Sequence, residues 1–369
     1  MKENKIRVVS LFSGIGGFEE GIRRSGIPHD VVFASEIDNF AKISYSANFN
    51  NKNLHGDITQ ISEKDIPDHD LLIAGFPCQS FSIAGKQRGF NDTRGNLFFD
   101  VARILKEKTP KLIILENVKN LIGHDKSNTI NQILTILNDI GYTIDFTIIN
   151  SAEAGVPQNR DRTYIVGIYN YKSEKFDLDI RSDKVSKLKN KYNEEGFKSF
   201  NFFNNLSYKN KARFIEDILS DSVSKKYYFD NERINSFIEK NEIKYIEENE
   251  KKIIKIFDLP KEVHNDLERQ RRVYSIKGIS PTVLARSDST KICILNNNEL
   301  RIRKVTPEEN FYIQGFDESF VKNIRNKKMS DTQMYKQSGN AVSPPVIEGI
   351  FKELYKFMKK GEKNDEGKL

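Results

Sequence analysis

A short apolar run that stops at a proline and a cysteine constrains the fold more than any other stretch. Residues 70–74 predict a buried parallel strand, and the Gly75-Phe76-Pro77 sequence forces the chain to turn at its end. Cys78 and small polar residues follow, just past the carboxyl end of that strand, where open α/β sheets build their sites. A lone cysteine is more often a buried core residue. The proline before it and the polar loop after it favour a nucleophile.

The start of the chain shows a second strand-and-turn pattern. Residues 5–12 predict a buried strand, residues 13–17 a glycine turn, and residues 18–25 a helix. This order is typical of nucleotide binding, because glycines let backbone approach a ligand at a helix N-terminus. A tight turn without a ligand is the alternative. Glu36 follows the next strand, about twenty residues beyond the glycines, where an acid can bind ribose hydroxyls.

Two further segments have open interpretations. Asp57 could accept a hydrogen bond from an exocyclic amine or cap the turn before Ile61, and the residues alone favour the cap. Residues 79–96 form a long, basic, glycine-rich loop with little apolar periodicity. Such a loop predicts a mobile lid that closes on a phosphate backbone, with a surface loop as the alternative.

Charged residues also mark the ends of two later strands. Glu116 follows the apolar strand predicted over residues 111–115. If that strand neighbours the one before Cys78, its carboxyl would lie beside the cysteine and could hold a proton near neutrality. Arg160 and Arg162 precede the strand predicted over residues 163–169, and their spacing predicts that both side chains point the same way. A local Arg160–Asp161 ion pair is the alternative.

Composition limits the class of protein. The 369 residues are 37% hydrophobic and 30% charged, with a formal net charge of +7 and two cysteines. This favours a globular protein of a reducing cytoplasm, with no membrane span and no metal site expected. The positive charge suits a nucleic-acid partner without requiring one. From about residue 171 the regular alternation of strands and helices stops, which predicts a second, irregular domain.

Eight motifs in order resemble the bacterial DNA cytosine-5 methyltransferases, between residue 10 and about residue 350. They are LFSGIGG, SEID, GDI, GFPCQSFS, ENV, QNRDR, RVYSIKGISPTV and QSGNAV. The similarity is greatest to the small, single-chain enzymes of restriction–modification systems. It implies an α/β fold with a Rossmann-like catalytic domain at residues 1–180 and 300–369. Residues 181–299 would form a small, irregular target-recognition domain.

The resemblance also implies partners and site residues. The methyl donor would be S-adenosylmethionine, which leaves as S-adenosylhomocysteine, and the substrate would be double-stranded DNA. The enzyme would act as a monomer in the cytoplasm, on the nucleoid. The cofactor-binding residues would be Phe12, Gly14, Gly16, Gly17, Glu36, Ile37, Asp57, Ile58, Pro77, Asn340 and Val342. The DNA-binding residues would be Gln79, Ser82, Lys86, Arg94 and Arg272.

The implied chemistry assigns catalytic roles. Cys78 would add to carbon 6 of cytosine, with its thiolate favoured by Arg160 and Arg162. Glu116 would protonate or hydrogen-bond ring nitrogen 3, and Arg162 would bind the exocyclic oxygen.

The sequence departs from the family pattern at three positions. Ser10 stands where many members carry Asp, so one polar contact to the cofactor would be missing or bridged by water. Ile37 stands where the family often has Trp or Tyr, and Ala84 where a relative has Ser. Gln79 is therefore the better candidate to fill the gap left in the DNA stack.

Three rival functions fit parts of the pattern. A tRNA cytosine methyltransferase would share the active-site residues, and the long basic region at 171–300 argues for DNA instead. A catalytically silent DNA-binding subunit would have no need of Cys78, Glu116 and Arg162. A nicotinamide oxidoreductase would explain the glycine turn and Glu36 but not the Pro-Cys strand end.

Overall fold

The computed structural model describes residues 5–77, 97–229, 232–287, 289–296 and 299–366. The chain divides into two compact units. Unit 1 comprises residues 1–149, 161–207 and 346–369, and unit 2 comprises residues 150–160 and 208–345. The chain therefore leaves unit 1 twice and returns to it twice.

Unit 1 is built on a seven-stranded sheet with helices between the strands. Its strands are β1 (Ile6–Leu11), β2 (His29–Ser35), β3 (Leu54–His55), β4 (Leu71–Gly75), β5 (Leu112–Val118), β6 (Tyr142–Asn150) and β7 (Asp161–Tyr169). Its helices are α1 (Gly17–Arg24), α2 (Asn39–Asn48), α3 (Leu97–Lys108), α4 (Asn128–Ile140), α5 (Asp183–Glu194) and α11 (Pro344–Glu366).

The strand order places the sites suggested by the sequence at one edge. The order is β3-β2-β1-β4-β5-β7-β6, with β1 parallel to both β2 and β4, and β4 parallel to β5. The carboxyl ends of these strands therefore meet at one edge of the sheet. Because β7 runs antiparallel to β5, its first residues lie at the same edge. This mixed, mainly parallel sheet confirms the predicted α/β class.

Apolar strands and helix faces form the core of unit 1. The apolar side chains at 71–74 in β4 and 112–115 in β5 are fully buried, as expected for parallel strands covered on both faces. Helices α3 and α4 pack their apolar faces on the same cluster. At the far end of the chain, the Phe357 ring lies against the rings of Phe200 and Phe202, with centroids 5.9 and 5.6 Å apart. The last helix thus completes a core begun much earlier in the chain.

Unit 2 contains a four-stranded sheet in the order β11-β10-β9-β8 and a group of short helices. The strands are β8 (Lys255–Asp258), β9 (Arg272–Ser275), β10 (Lys291–Asn296) and β11 (Glu299–Lys304). The helices are α6 (Glu232–Lys240), α7 (Glu268–Arg271), α8 (Pro307–Ile313), α9 (Glu318–Asn326) and α10 (Asp331–Asn340). Helix α8 begins with a complete capping box between Thr306 and Glu309.

The compact units divide the chain differently from the domain boundaries expected from sequence. Residues 181–207 belong to unit 1, since α5 and the segment after it pack on β6. Residues 150–160 and 300–345 belong to unit 2. The assignment of functional domains therefore stays a prediction. Among the described residues, no helix combines the length and apolar character needed to cross a membrane.

Candidate active site

Glu36 joins two strand ends at the polar edge of unit 1. One carboxylate oxygen, Oε2, accepts a hydrogen bond from the Gly14 amide at 2.8 Å, and Oε1 accepts one from the Asp38 amide at 2.7 Å. The carboxylate is thus held at the mouth of the glycine turn. A carboxylate oxygen can accept more than one hydrogen bond, so ribose hydroxyls could still bind here.

The glycine turn itself leaves room for a ligand. The backbone turns with positive φ at Phe12, Gly14 and Gly16. A Cβ at Gly16 would overlap the ring of Phe49, so only glycine fits there. A Cβ at Gly14 would meet nothing within 4 Å, so this side of the turn is open. Gly17 begins α1, whose N-terminus carries the partial positive charge of the helix dipole.

The other residues expected to hold the adenosyl group differ in exposure. The Ile37 side chain is 68% exposed and could cover a flat ring. Asp57 caps the 3-10 helix Ile58–Gln60, its Oδ1 accepting from the Thr59 amide at 3.0 Å. Ile58 packs in the hydrophobic core, so its side chain does not face solvent. Pro77 is exposed after the buried Phe76.

A charged pair forms where β4, β5 and β7 meet. Gly75 at the end of β4 lies opposite Glu116 on β5, so the two strands are direct neighbours as expected. The guanidinium Nε of Arg162 lies 3.2 Å from Oε1 of Glu116, and the two side chains are only 15% and 11% exposed. Both residues lie within strands: Glu116 lies in β5, which ends at Val118, and Arg162 lies in β7, which begins at Asp161.

Asn117 holds the turn before the cysteine, and the sequence interpretation did not single it out. Its Nδ2 donates to the Phe76 carbonyl at 2.8 Å, and its Oδ1 accepts from the Val118 amide at 2.8 Å. The side chain is buried, so it fixes the backbone two residues before Cys78. The signal was present in the ENV triplet, where Asn117 directly follows Glu116.

Arg160 and Arg162 have different partners. Arg160 is buried in unit 2, where its Nη2 donates to the carbonyls of Gly339 and Ala341 at 3.0 Å each. Only Arg162 lies within β7, so the alternation of side chains along a strand does not apply to the pair. Arg160 therefore supports the segment around Asn340, and its expected effect on the thiolate stays a prediction.

Some of the remaining expected residues are described by the structure, and the others lie outside the described residues. Arg272 begins β9 and pairs with Glu268 at 3.2 Å. Asn340 ends α10 with an exposed side chain, and Val342 is buried in the following turn. Cys78, Gln79, Ser82, Lys86 and Arg94 lie outside the described residues.

Comparisons with known proteins identify the family of the chain. Residues 6–356 match the family described as C-5 cytosine-specific DNA methylase. The type II methyltransferase M1.ScrFI of Lactococcus lactis subsp. cremoris is 37% identical, over 98% of this chain and 81% of the relative. The orphan methyltransferase M.SPRI of Bacillus phage SPR is 33% identical, over 95% of this chain and 97% of the relative.

A solved structure shares the fold. The Dnmt2 methyltransferase of S. pombe superposes with a TM-score of 0.68 at 19% identity, over 96% of this chain and 99% of that one. The structural similarity shows that the two proteins share a fold, and the family match and the relatives show the family. The chain belongs to the C-5 cytosine-specific DNA methylase family.

Proposed function

We propose that this protein transfers a methyl group from S-adenosylmethionine to carbon 5 of a cytosine flipped out of duplex DNA. The single observation that carries the proposal is the Glu116–Arg162 pair. The pair lies at the edge of the sheet where β4 ends, and its Glu116 is on β5, the direct neighbour of the strand β4 that leads to Cys78. A carboxyl, a guanidinium and a cysteine are the groups that addition to a pyrimidine ring requires.

The glycine turn and Glu36 fit the methyl donor. Gly14 is open, Gly16 accepts no larger residue, and both carboxylate oxygens of Glu36 are fixed by backbone amides. These features suit a nucleoside whose ribose hydroxyls meet Glu36 and whose methionine end meets the start of α1. When bound, S-adenosylmethionine supplies an electrophilic methyl group on a sulfonium. Phe12 and Ile37 would enclose the adenine.

The residues of this chain would activate the base. The Cys78 thiolate forms a bond to carbon 6, and the displaced electron pair makes carbon 5 nucleophilic. Glu116 donates a proton or a hydrogen bond to nitrogen 3 as charge builds on the ring. Arg162, held against Glu116, binds the exocyclic oxygen. After methylation the carbon 5 proton leaves to a base, and Cys78 is expelled as the thiolate.

Asn117 would position the nucleophile. Because its amide group bonds the Phe76 carbonyl, it limits the freedom of the Pro77-Cys78 segment. A duplex hides the reacting base, and flipping it out costs a few kcal/mol. DNA contacts from residues 79–96, including Gln79, Ser82, Lys86 and Arg94, would offset that cost, and Arg272 would contact DNA from unit 2.

The test is covalent capture by a modified base. An oligonucleotide with 5-fluorocytosine should trap the protein, since fluorine cannot leave carbon 5 as the proton does. Cys78→Ser should abolish both capture and methyl transfer while DNA binding survives. If the wild-type chain with S-adenosylmethionine gives no trapped complex, the addition mechanism is wrong. Tritium transfer to tRNA in place of DNA would overturn the choice of substrate.

The type II relative supports a biological role for the proposed activity. We propose that the protein acts as a monomer in the bacterial cytoplasm, on nucleoid DNA, and protects a short sequence from a cognate endonuclease. The net charge of +7 supports binding to a phosphate backbone. Bisulfite sequencing of DNA from cells that express the chain should show one methylated motif. Absence of methylation, or methylation without sequence preference, would contradict this role.

A further inference from the structure

Helix α1 begins with two consecutive buried glutamates that differ in their partners. Glu20 is fully buried and pairs with both Arg23 and Arg24, at 2.7 Å in each case. Glu19 is only 1% exposed, and neither of its carboxylate oxygens has a hydrogen-bond partner in the described part of the chain. Buried carboxyl groups are normally paired, so this one calls for an explanation.

In the described part of the chain, two hydroxyl groups and a second carboxylate lie near the Glu19 carboxyl. The Ser10 hydroxyl from β1 and the Tyr45 hydroxyl from α2 lie near its carboxyl, without a well-formed hydrogen bond to it. The Ser10 hydroxyl is itself buried, with no hydrogen-bond partner among the described residues. Glu36, at the end of β2, adds a second negative charge in the neighbourhood. Burial, with a smaller contribution from Glu36, raises the pKa of Glu19 to about 7.

The place of Glu19 in the chain relates it to the proposed methyl donor. It stands in the first turn of α1, directly after the glycine turn assigned above to the methionine end of the methyl donor. S-adenosylmethionine carries a sulfonium charge, whereas the product S-adenosylhomocysteine has a neutral thioether. An unpaired carboxylate in a poorly screened interior acts over several ångströms on such a charge.

We propose that Glu19 is a specificity residue that favours the charged methyl donor over its uncharged product. The inference rests on the proposed function and identifies the buried group whose electrostatic interaction distinguishes the charged sulfonium from the neutral thioether. Glu19 acts through the field beneath the glycine turn and not by contact with the ligand. By favouring donor over product, it would limit product inhibition after each transfer.

Direct binding measurements on the full chain test the inference. Glu19→Gln should weaken S-adenosylmethionine binding about tenfold, the loss of one poorly screened charge interaction, and change S-adenosylhomocysteine binding less than about twofold. Glu20→Gln is the matched control, because it removes the same charge on the same turn where arginines already neutralise it. It should leave the ratio of the two affinities unchanged. Equal weakening of both ligands, or no change in either, by Glu19→Gln would overturn the inference.

A measurement on the wild-type chain gives an independent test. A cation nearby favours the ionised carboxyl, so binding S-adenosylmethionine should release protons near neutral pH and tighten as pH rises through about 7. S-adenosylhomocysteine binding should show neither effect. Calorimetry in two buffers of different ionisation enthalpy counts the protons. If the wild-type chain binds neither ligand, the proposed function fails. If it binds both with equal proton release, only the role of Glu19 fails.

Discussion

The polar edge of unit 1 and the buried polar network of unit 2 use charged residues in opposite ways. At the edge, Glu36, Glu116 and Arg162 are partly exposed and stand at the ends of strands. In unit 2, Glu309 is fully buried and accepts hydrogen bonds from the Arg303 guanidinium, at 2.7 and 2.8 Å, and from the Thr306 and Ser220 amides.

The neutral part of the network in unit 2 is equally enclosed. Gln158 donates to the Gln314 side chain at 2.7 Å and accepts from the Val283 amide at 2.9 Å. Gln314 donates in turn to the Ser338 and Ala341 carbonyls. Polar groups that are buried and hydrogen-bonded within the protein stabilise the fold, whereas polar groups at the accessible edge of the sheet remain available to bind a ligand. Substitutions should therefore affect activity at the edge and stability in the network.

Glu116→Gln should give the largest effect. Loss of a proton donor to the ring should lower the methylation rate by about 10²–10⁴-fold. The melting temperature should change little, since the side chain lies at the sheet edge. The measurement is single-turnover methyl transfer with saturating cofactor. Asp161→Asn, which removes a carboxylate paired with Lys119 at the same edge, should keep most of the rate. A normal rate in Glu116→Gln would exclude its role as an acid.

Arg303→Met should destabilise unit 2 strongly. It leaves the buried Glu309 carboxylate without its cation, a change that typically costs about 3–5 kcal/mol. Urea unfolding followed by fluorescence and circular dichroism measures the loss. Lys304→Met, half-exposed on the same strand, should cost under about 1 kcal/mol. A loss of activity in Arg303→Met without a loss of stability would break the contrast between the two regions.

Asn117→Ala should affect both properties, because Asn117 is buried yet lies at the edge. Leaving the Phe76 carbonyl and the Val118 amide without a partner should cost about 1–3 kcal/mol. A displaced Cys78 should lower the methylation rate by up to about 10²-fold, with cofactor affinity unchanged. Asn117→Asp keeps the acceptor for Val118 but replaces the donor to Phe76 with a charged carboxylate oxygen, so it should release the turn while one of the two hydrogen bonds remains. Unchanged rates in both variants would remove Asn117 from the positioning of the cysteine.

Asp331→Asn should have the smallest effect. Although burial opposes the shift, hydrogen bonds from Lys226, Tyr227 and Arg325 lower the pKa of Asp331 to about 2. Because the pKa of Asp331 is lower in the folded protein than in the unfolded chain, where it is near 4, ionised Asp331 stabilises the fold at pH values above 4. This contribution disappears as the pH falls toward 2. Because the group is partly exposed, the expected loss is only about 1 kcal/mol. Unfolding of wild type and variant should differ at pH 7 and converge near pH 2; a constant difference would contradict the assignment.

The parallel sheet and its edge could be predicted from the sequence because buried strands followed by breakers leave a local signal. The strand predicted at residues 5–12 agrees closely with β1, whereas the one predicted at 111–115 covers only the first part of β5, which continues to Val118. The prediction that β4 and β5 are neighbours is confirmed. Unit 2 gave a weaker signal, because charged residues interrupt its short strands, as in the sequences KIFD and ELRIRK of β8 and β11. Its helices α9 and α10 were not anticipated. The partners of Arg160 and Asn117 depend on long-range contacts, which side-chain spacing cannot supply.

The interrupted path of the chain through unit 1 has a consequence for its synthesis. Phe200 and Phe202 emerge from the ribosome well before Phe357, the ring that covers them. The intervening residues 208–345 take roughly ten to thirty seconds to translate at typical bacterial rates. During that interval the rings of Phe200 and Phe202 would lack the contact that Phe357 makes in the complete chain. We therefore expect the packing of α11 to complete the core of unit 1 only after the rest of the chain has been made.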